Sequence, residues 1–385
     1  MVVAQAPASS TVTKPTPGRI SENVECAADA NQHYALYLPS GYTADRKWKL
    51  ILLFDAGGRG LRGVERYQAA AEKYGYIVAG SNNSRNGPWE VSLTAAKAMS
   101  ADVLKRFSID TARVYTGGMS GGSRVSMKVA LEPKEIVGVP VVGVLASSAG
   151  FPDELITTVP FGVFGSMGTN DFNHSEMVEL DRMMTSPHRI VEFDGTHEWL
   201  PAEFATQGVE WMELQAMRSG KAAKNQAVVD AIFAARMQQA EATADALLKH
   251  RRLKAIAADF DSLVAGGTLA SWKDVSARVQ KQDKEKTLRE AEGKERLAEE
   301  RELQLTSEIY TLRDRLRGNP AMHDDVLTKL KNRLSTLDAT SKGADDNYER
   351  RVARRVIGGF FASSRGVRDP ELQTFLDTIR PPRPN

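Results

Sequence analysis

The chain has 385 residues, enough for two or three compact units at roughly 150 residues each, so a core of this size needs no disulfide or metal to hold it. Hydrophobic residues make up 42% and charged residues 26%, and 51 basic against 49 acidic side chains leave a net charge of +2, which argues against a polycationic nucleic-acid binder. One cysteine, Cys26, and six histidines exclude an internal disulfide and a Cys/His zinc cluster, and no run reaches the ~18 apolar residues of a membrane span.

Residues 1–20 read as a leader rich in Ala, Ser, Thr and Pro. Ala4-Gln5-Ala6 has the small-x-small form of a cleavage site, so the leader is either the remnant of an export signal, implying a secreted or periplasmic protein, or a low-complexity tail. Short β-branched or aromatic runs then follow at His33–Leu38, Lys49–Phe54, Tyr76–Ala79, Ala112–Thr116, Val141–Ala146, Phe161–Gly165 and Arg189–Phe193. Helical patterns at Val64–Tyr74, Ser92–Phe107 and Ser123–Leu131 alternate with them. That alternation predicts an α/β fold with a mostly parallel sheet covered by helices on both faces. Continuous apolar runs such as Leu50–Phe54 fit central strands buried on both sides.

Twenty of the 30 glycines precede residue 204, and beyond it the chain turns to Ala, Leu, Lys, Glu and Arg in helical spacing. A helix over Phe204–Met217, carrying Trp211, is expected to pack on the sheet, and Ser219-Gly220-Lys221 marks the boundary. The domains are therefore a leader at 1–20, an α/β catalytic domain at 21–219 and an all-helical region at 220–385. Helical hairpins are predicted from Ala223 to Val264, with a faint tetratricopeptide texture but no repeating register. Lys273–Arg317 reads as one long charged stretch. Its Leu305, Ile309, Leu312 and Leu316 fit either a coiled-coil seam or an arm folding back on Val326, Leu330, Leu334 and Leu337 through a turn at Gly318-Asn319-Pro320. Arg380–Asn385 should fray.

The chemistry-bearing residues all lie before residue 200. Gly118-Met119-Ser120-Gly121-Gly122 is a G-x-S-x-G sequence between a strand and a helix, the context that lifts a serine hydroxyl above a sheet edge; the plainer alternative is a glycine-rich turn with a capping serine. A serine hydroxyl needs a base, and the base needs a carboxylate to fix its tautomer. Asp171, in the loop after Phe161–Gly165, is the candidate acid, with Asp194 as second choice. His197, in the loop after the last strand, is the candidate base; His174 shares the acid's loop and His188 begins a strand. The oxyanion donors are expected to be the Gly121 amide and an amide of Ala56 or Gly57. Trp89, Trp199 and Arg85 are candidate substrate contacts, each equally readable as packing or a surface charge. No cofactor or metal is required by this chemistry.

The sequences Leu36-Tyr-Leu-Pro-Ser-Gly-Tyr42, Gly118–Gly122, Gly168-Thr-Asn-Asp171 and Gly195-Thr-His197-Glu-Trp199 give His33–Trp211 a texture that resembles the α/β-hydrolase fold. Within that fold it is most similar to polyhydroxybutyrate depolymerases, feruloyl esterases and acetyl xylan esterases. The resemblance implies a Ser120, Asp171, His197 triad that hydrolyses carboxylic esters of small-molecule or polymeric substrates through an acyl-enzyme intermediate. Phe54-Asp55 stands where many relatives have His-Gly. The helical half has no counterpart in the resemblance and holds no residue this chemistry needs, so its expected use is a protein partner or a homo-oligomer. The competing reading is a hydrolase-like scaffold that presents those helices, with catalysis weak or lost.

Overall fold

The computed structural model describes residues 15–153, 156–318, 323–364 and 369–379. The cleavage-like Ala4-Gln5-Ala6, the turn residues Asn319 and Pro320, and the Arg380–Asn385 end lie outside the described residues. Eight strands form one sheet in the order β1-β2-β4-β3-β5-β6-β7-β8. They are β1 (Ile20–Cys26), β2 (Asp29–Tyr37), β3 (Trp48–Asp55), β4 (Tyr76–Ser81), β5 (Ile109–Met119), β6 (Gly143–Ser147), β7 (Gly162–Gly168) and β8 (His188–Phe193). The first two make an antiparallel ribbon, and β2 joins β4 antiparallel, whereas the β3 pairings with β4 and β5, and that of β5 with β6, are parallel. β1 is the strand the sequence conceals: it is an irregular edge strand, its pairing interrupted twice, and it buries two of its seven residues, so no clean alternation shows.

The central strands follow the expected logic. Every residue of β4 is buried, as are seven of the eight in β3, which is what continuous apolar runs require inside a sheet covered on both faces. The helices α1 (Gly60–Tyr74), α2 (Trp89–Arg106) and α3 (Gly121–Leu131) connect these strands, with the short α4 (Pro133–Ile136) after α3. The α1 helix ends at Gly75, whose φ of 71° lets its amide return to the Ala71 carbonyl. Then come α5 (His174–Met183), whose first residue was expected in the loop of Asp171, and α6 (Ala202–Arg218).

The helical remainder comprises α7 (Gln226–Glu241), α8 (Ala246–Asp259), α9 (Gly266–Gln282), α10 (Lys286–Gly318), α11 (His323–Ser341), α12 (Tyr348–Ser363) and α13 (Pro370–Ile379). Side-chain caps open several of them: Asn225, Asp245 and Asn347 each accept the amide three residues on. The charged stretch over Lys273–Arg317 is divided between two helices, α9 and α10. The chain breaks at Asp283–Glu285, where Asp283 leaves the helix and pairs with His250 Nε2 at 2.9 Å. Leu305 and Ile309 of α10 pack with Leu330, Leu334 and Leu337 of α11, together with Val356 and Phe360 of α12 and Leu372 and Leu376 of α13. The apolar spacing in α10 is therefore filled within the chain, as the folded-back arm requires. No helix among the described residues is long and apolar enough to cross a membrane.

Compactness divides the chain differently from the expected 21–219 and 220–385. One unit takes the residues up to Gly165 with 184–188 and 199–209; the other takes 166–183, 189–198 and everything from Glu210. The end of β7, most of β8 and the loops that follow both strands thus belong to the same unit as the helical region.

Candidate active site

In the first unit, the parallel register sets Phe54 against Gly118 and Asp55 against Met119, and Met119 against Ser147. The turns after β3, β5 and β6 consequently leave the sheet side by side, at the carboxyl edge where open α/β sheets bind ligands. Ser120 makes the turn between β5 and α3 with φ 57° and ψ −123°, a conformation costly for a residue with a Cβ. Its amide donates to the Ser147 carbonyl at 2.8 Å, and its carbonyl accepts from Ser123 at 2.9 Å. Its side chain makes no capping bond to α3, so the capping-serine alternative does not describe this turn. The flanking glycines are required by close approach. A Cβ on Gly118 would lie 2.3 Å from the Gly122 carbonyl oxygen, and one on Gly122 would lie 2.1 Å from the Phe54 carbonyl oxygen.

The turn after β3 is organised by Asp55, which is wholly buried. Its carboxylate accepts from the Gly57 amide (2.7 Å), Arg59 Nε (2.8 Å) and Trp199 Nε1 (2.8 Å). This explains what Asp55 does in a position where the resemblance leads one to expect glycine, and it was not legible in advance because Trp199 lies 144 residues away. It also corrects two expectations. The Gly57 amide is engaged by Asp55, which leaves Ala56 as the candidate donor from this loop, and Trp199 is buried structure rather than a wall open to substrate. The Ala56 carbonyl accepts from the Asn86 amide, and Gly57 bridges to Arg85, so the Arg85–Asn86 turn lies against the Ala56–Gly57 turn. Asn86 reaches the Ser120 turn as well: a Cβ on Gly121 would collide with its Oδ1. Sequence reasoning missed this residue. Arg85 is exposed, and Trp89, at the start of α2, is 37% exposed with Lys128 Nζ 5.8 Å from its ring centroid.

The second unit holds the acid and base candidates together. Thr169 and Asn170, after β7, donate their amides to the carbonyls of Phe193 and Gly195 after β8, each at 2.9 Å. A Cβ on Gly168 would sit 2.5 Å from the Thr196 carbonyl oxygen, so glycine is needed where the two loops meet. Across this junction His197 Nδ1 lies 2.7 Å from Asp171 Oδ1. The same oxygen accepts the Asn173 amide at 2.9 Å; the carboxylate is fully buried, and its Oδ2 has no hydrogen-bond partner among the described residues. Phe172 stacks on the His197 ring with centroids 3.8 Å apart. Asp194, the second-choice acid, is exposed and accepts from Thr169 Oγ1 at 3.3 Å instead. His174 is buried with Nε2 3.2 Å from Glu192 Oε1, and His188 Nδ1 lies 2.7 Å from the Ser186 carbonyl, so each has a different local partner. Burial alone would raise the Glu192 carboxyl, but His174, Arg355 and Arg351 together hold it below its ordinary value.

The helical region also reaches this loop. Arg355 of α12 donates its Nε to the Thr169 carbonyl at 2.8 Å and its Nη1 to Glu302 of α10 at 2.9 Å. Its Nη2 lies 3.7 Å from Glu192. The helical half supplies none of the candidate triad residues, but α12 touches the loop that carries Asp171. Elsewhere, Cys26 is buried, and desolvation together with the nearby Asp102 pushes its thiol up to about 12, which makes it a poor nucleophile. Among the described residues, no group of three or more His, Cys, Asp or Glu side chains is placed to hold a metal ion.

The sheet, its strand order and the strained serine turn are those of the α/β-hydrolase type of fold. No protein-family model matches the sequence, and no curated protein matches it. Among solved structures, a mutant of the feruloyl esterase module from Clostridium thermocellum complexed with sinapinate is similar at a TM-score of 0.41 and 15% identity, over 54% of this chain and 92% of that one. Est1E from Butyrivibrio proteoclasticus gives 0.40 and 14%, over 51% and 100%. A thermophilic carboxylesterase cloned from a metagenomic library gives 0.39 and 12%, over 52% and 90%.

Proposed function

We propose that the protein is a serine hydrolase that cleaves carboxylic esters through an acyl-enzyme intermediate. The observation that carries this reading is Ser120, a non-glycine residue held at φ 57° between β5 and α3, strain that a plain connecting turn would have no reason to keep. The Asp171–His197 hydrogen bond supports it. With Nδ1–H donated to Asp171, a neutral His197 ring carries its lone pair on Nε2, the form a general base needs.

In the proposed reaction Ser120 Oγ attacks the ester carbonyl as His197 Nε2 takes its proton. The amides of Gly121 and Ala56 hold the oxyanion, and Asp55 fixes the loop of Ala56 through Gly57, Arg59 and Trp199. Collapse of the tetrahedral intermediate passes that proton to the leaving alcohol. Water then attacks the acyl-enzyme with the same histidine as base. The exposed Trp89 and Arg85 are the proposed contacts to the acyl or alcohol group, Trp89 by apolar area and Arg85 by charge.

A fluorophosphonate probe tests the reading directly. It should label the wild-type chain at Ser120, and Ser120→Ala should lose both the label and turnover of p-nitrophenyl acetate, by about 10⁴–10⁶-fold in kcat. An unlabelled, folded wild-type chain would overturn the proposal. A panel of feruloyl, acetyl and polyester substrates would then name the acyl group.

A further inference from the structure

We infer that α12 is a positioning element for the acid–base pair, with Arg355 as its key side chain; the inference rests on the role proposed above for Asp171 and His197. Arg355 is nearly buried, yet its guanidinium serves three acceptors on three different elements: the Thr169 carbonyl, Glu302 and Glu192. The Thr169 carbonyl is two residues from Asp171, in the short segment whose amides tie the β7 loop to the β8 loop. A fixed guanidinium fork bonded to that carbonyl defines the height and twist of the segment from which Asp171 projects.

A second contact acts on the base. Cβ atoms placed on Gly358 and Gly359 would each lie 3.6 Å from Phe172 Cβ, so this part of α12 runs against the residue that stacks on the His197 ring. Gly359 also faces Tyr310 of α10, where an added Cβ would come within 3.1 Å of the hydroxyl. A side chain at either position would meet Phe172 at ordinary van der Waals distance, and only at Gly359, against the Tyr310 hydroxyl, is the space tight. Arg355 addresses the loop of the acid through its backbone, and the Gly358–Gly359 surface addresses the ring of the base through Phe172. Neither touches a reacting atom.

Removing Arg355 alone would strand Glu302, itself buried, so the test pairs two variants of the full-length chain: R355K, which keeps a positive charge beside Glu302 and Glu192, and the double variant R355M/E302M, which removes the ion pair at similar volume. Two readouts are taken. The first is the far-downfield proton resonance of His197 Nδ1–H, assigned by its loss in D171N, which reports the Asp171–His197 bond whether or not the chain is an esterase. The second is kcat and KM for p-nitrophenyl acetate.

The resonance should be present in wild type and broadened or lost in the double variant, with kcat lowered about 10–100-fold at unchanged KM and R355K falling between them. L376A, a core change in α13, should lower thermal stability while leaving resonance and kcat intact, which separates positioning from general loosening. If both Arg355 variants fold and keep the resonance and kcat within twofold of wild type, the inference is overturned. If L376A loses the resonance in the same way, it is overturned as well. A wild-type chain that shows the resonance and its dependence on Arg355 but hydrolyses no ester would refute the proposed function and leave the positioning role standing.

Discussion

The Ser120 turn and the Asp171–His197 pair are built by different means. Ser120 is placed by backbone: its strained φ, the register of β3, β5 and β6, and glycines whose replacement would drive a Cβ into a carbonyl oxygen. Asp171 and His197 are placed by contacts that come from far along the chain. Phe172 lies between the base and α12 in the contact network, and Arg355 is 186 residues from the carbonyl it holds. Local strain fixes the Ser120 turn within a few residues, whereas a carboxylate and an imidazole on two loops depend on whatever covers those loops. In this chain that cover is supplied by helices absent from the resemblance that reveals the serine.

The largest expected effect tests the side-chain half of this contrast. Asp171→Asn should lower kcat by about 10⁴-fold while the chain folds normally, because an amide N–H facing His197 Nδ1 favours the wrong imidazole tautomer without removing volume. Stopped assays with p-nitrophenyl acetate, alongside thermal unfolding, check both parts. A variant within tenfold of wild type would mean that the Asp171–His197 bond does not orient a catalytic base.

The same contrast explains what could be read from the sequence. The turn at Ser120 announces itself in five consecutive residues, and the strand, turn and helix around it follow from local hydrophobic patterning. Asp171 and His197 are legible as polar residues in small-residue loops at strand ends. Their supports are not: Asp55 with Trp199, and Arg355 with Thr169, are pairs separated by 144 and 186 residues, and nothing in the periodicity of α12 sets its buried arginine apart from its neighbours. The strand β1 and the helix α5 escaped for a different reason. The first is a half-exposed edge, and the second opens at His174, immediately after the loop that drew attention as chemistry. Near Gly220 it is composition that changes, whereas packing divides the chain elsewhere and groups the loops of Asp171 and His197 with the helices.

A smaller effect should mark the backbone half. Gly122→Ala adds one methyl group 2.1 Å from the Phe54 carbonyl oxygen, and a main-chain atom of a central strand cannot step aside as a side chain can. The expected cost is at least about 1–3 kcal/mol of stability, read as a lowered denaturation midpoint in urea at an unchanged slope. Activity should fall with it, since the turn and the strand move together. An alanine variant of wild-type stability would show that the turn has slack and that strain is not what holds Ser120.

The mildest change probes the charged network beneath the acid's loop and has a sign that depends on pH. Although burial opposes its ionisation, Glu192 is held below its ordinary value of 4.5 by His174, Arg355 and Arg351. A carboxyl lowered on folding stabilises the native state fully above its unfolded value, and that contribution disappears as pH falls through the lower folded value. Glu192→Gln should therefore lower the melting temperature at pH 7 by roughly 1 °C, as expected for the loss of about 1 kcal/mol from a charge-assisted contact in a chain of this size. Below the ordinary carboxylate range the wild type loses the same contribution, so the two melting curves should converge there. Differential scanning calorimetry at a series of pH values measures the gap. A gap that stayed constant from neutral to acid pH would mean that Glu192 acts through its shape alone, and the link from α12 to the loop of Asp171 would then run through Arg355, Glu302 and the Thr169 carbonyl without it.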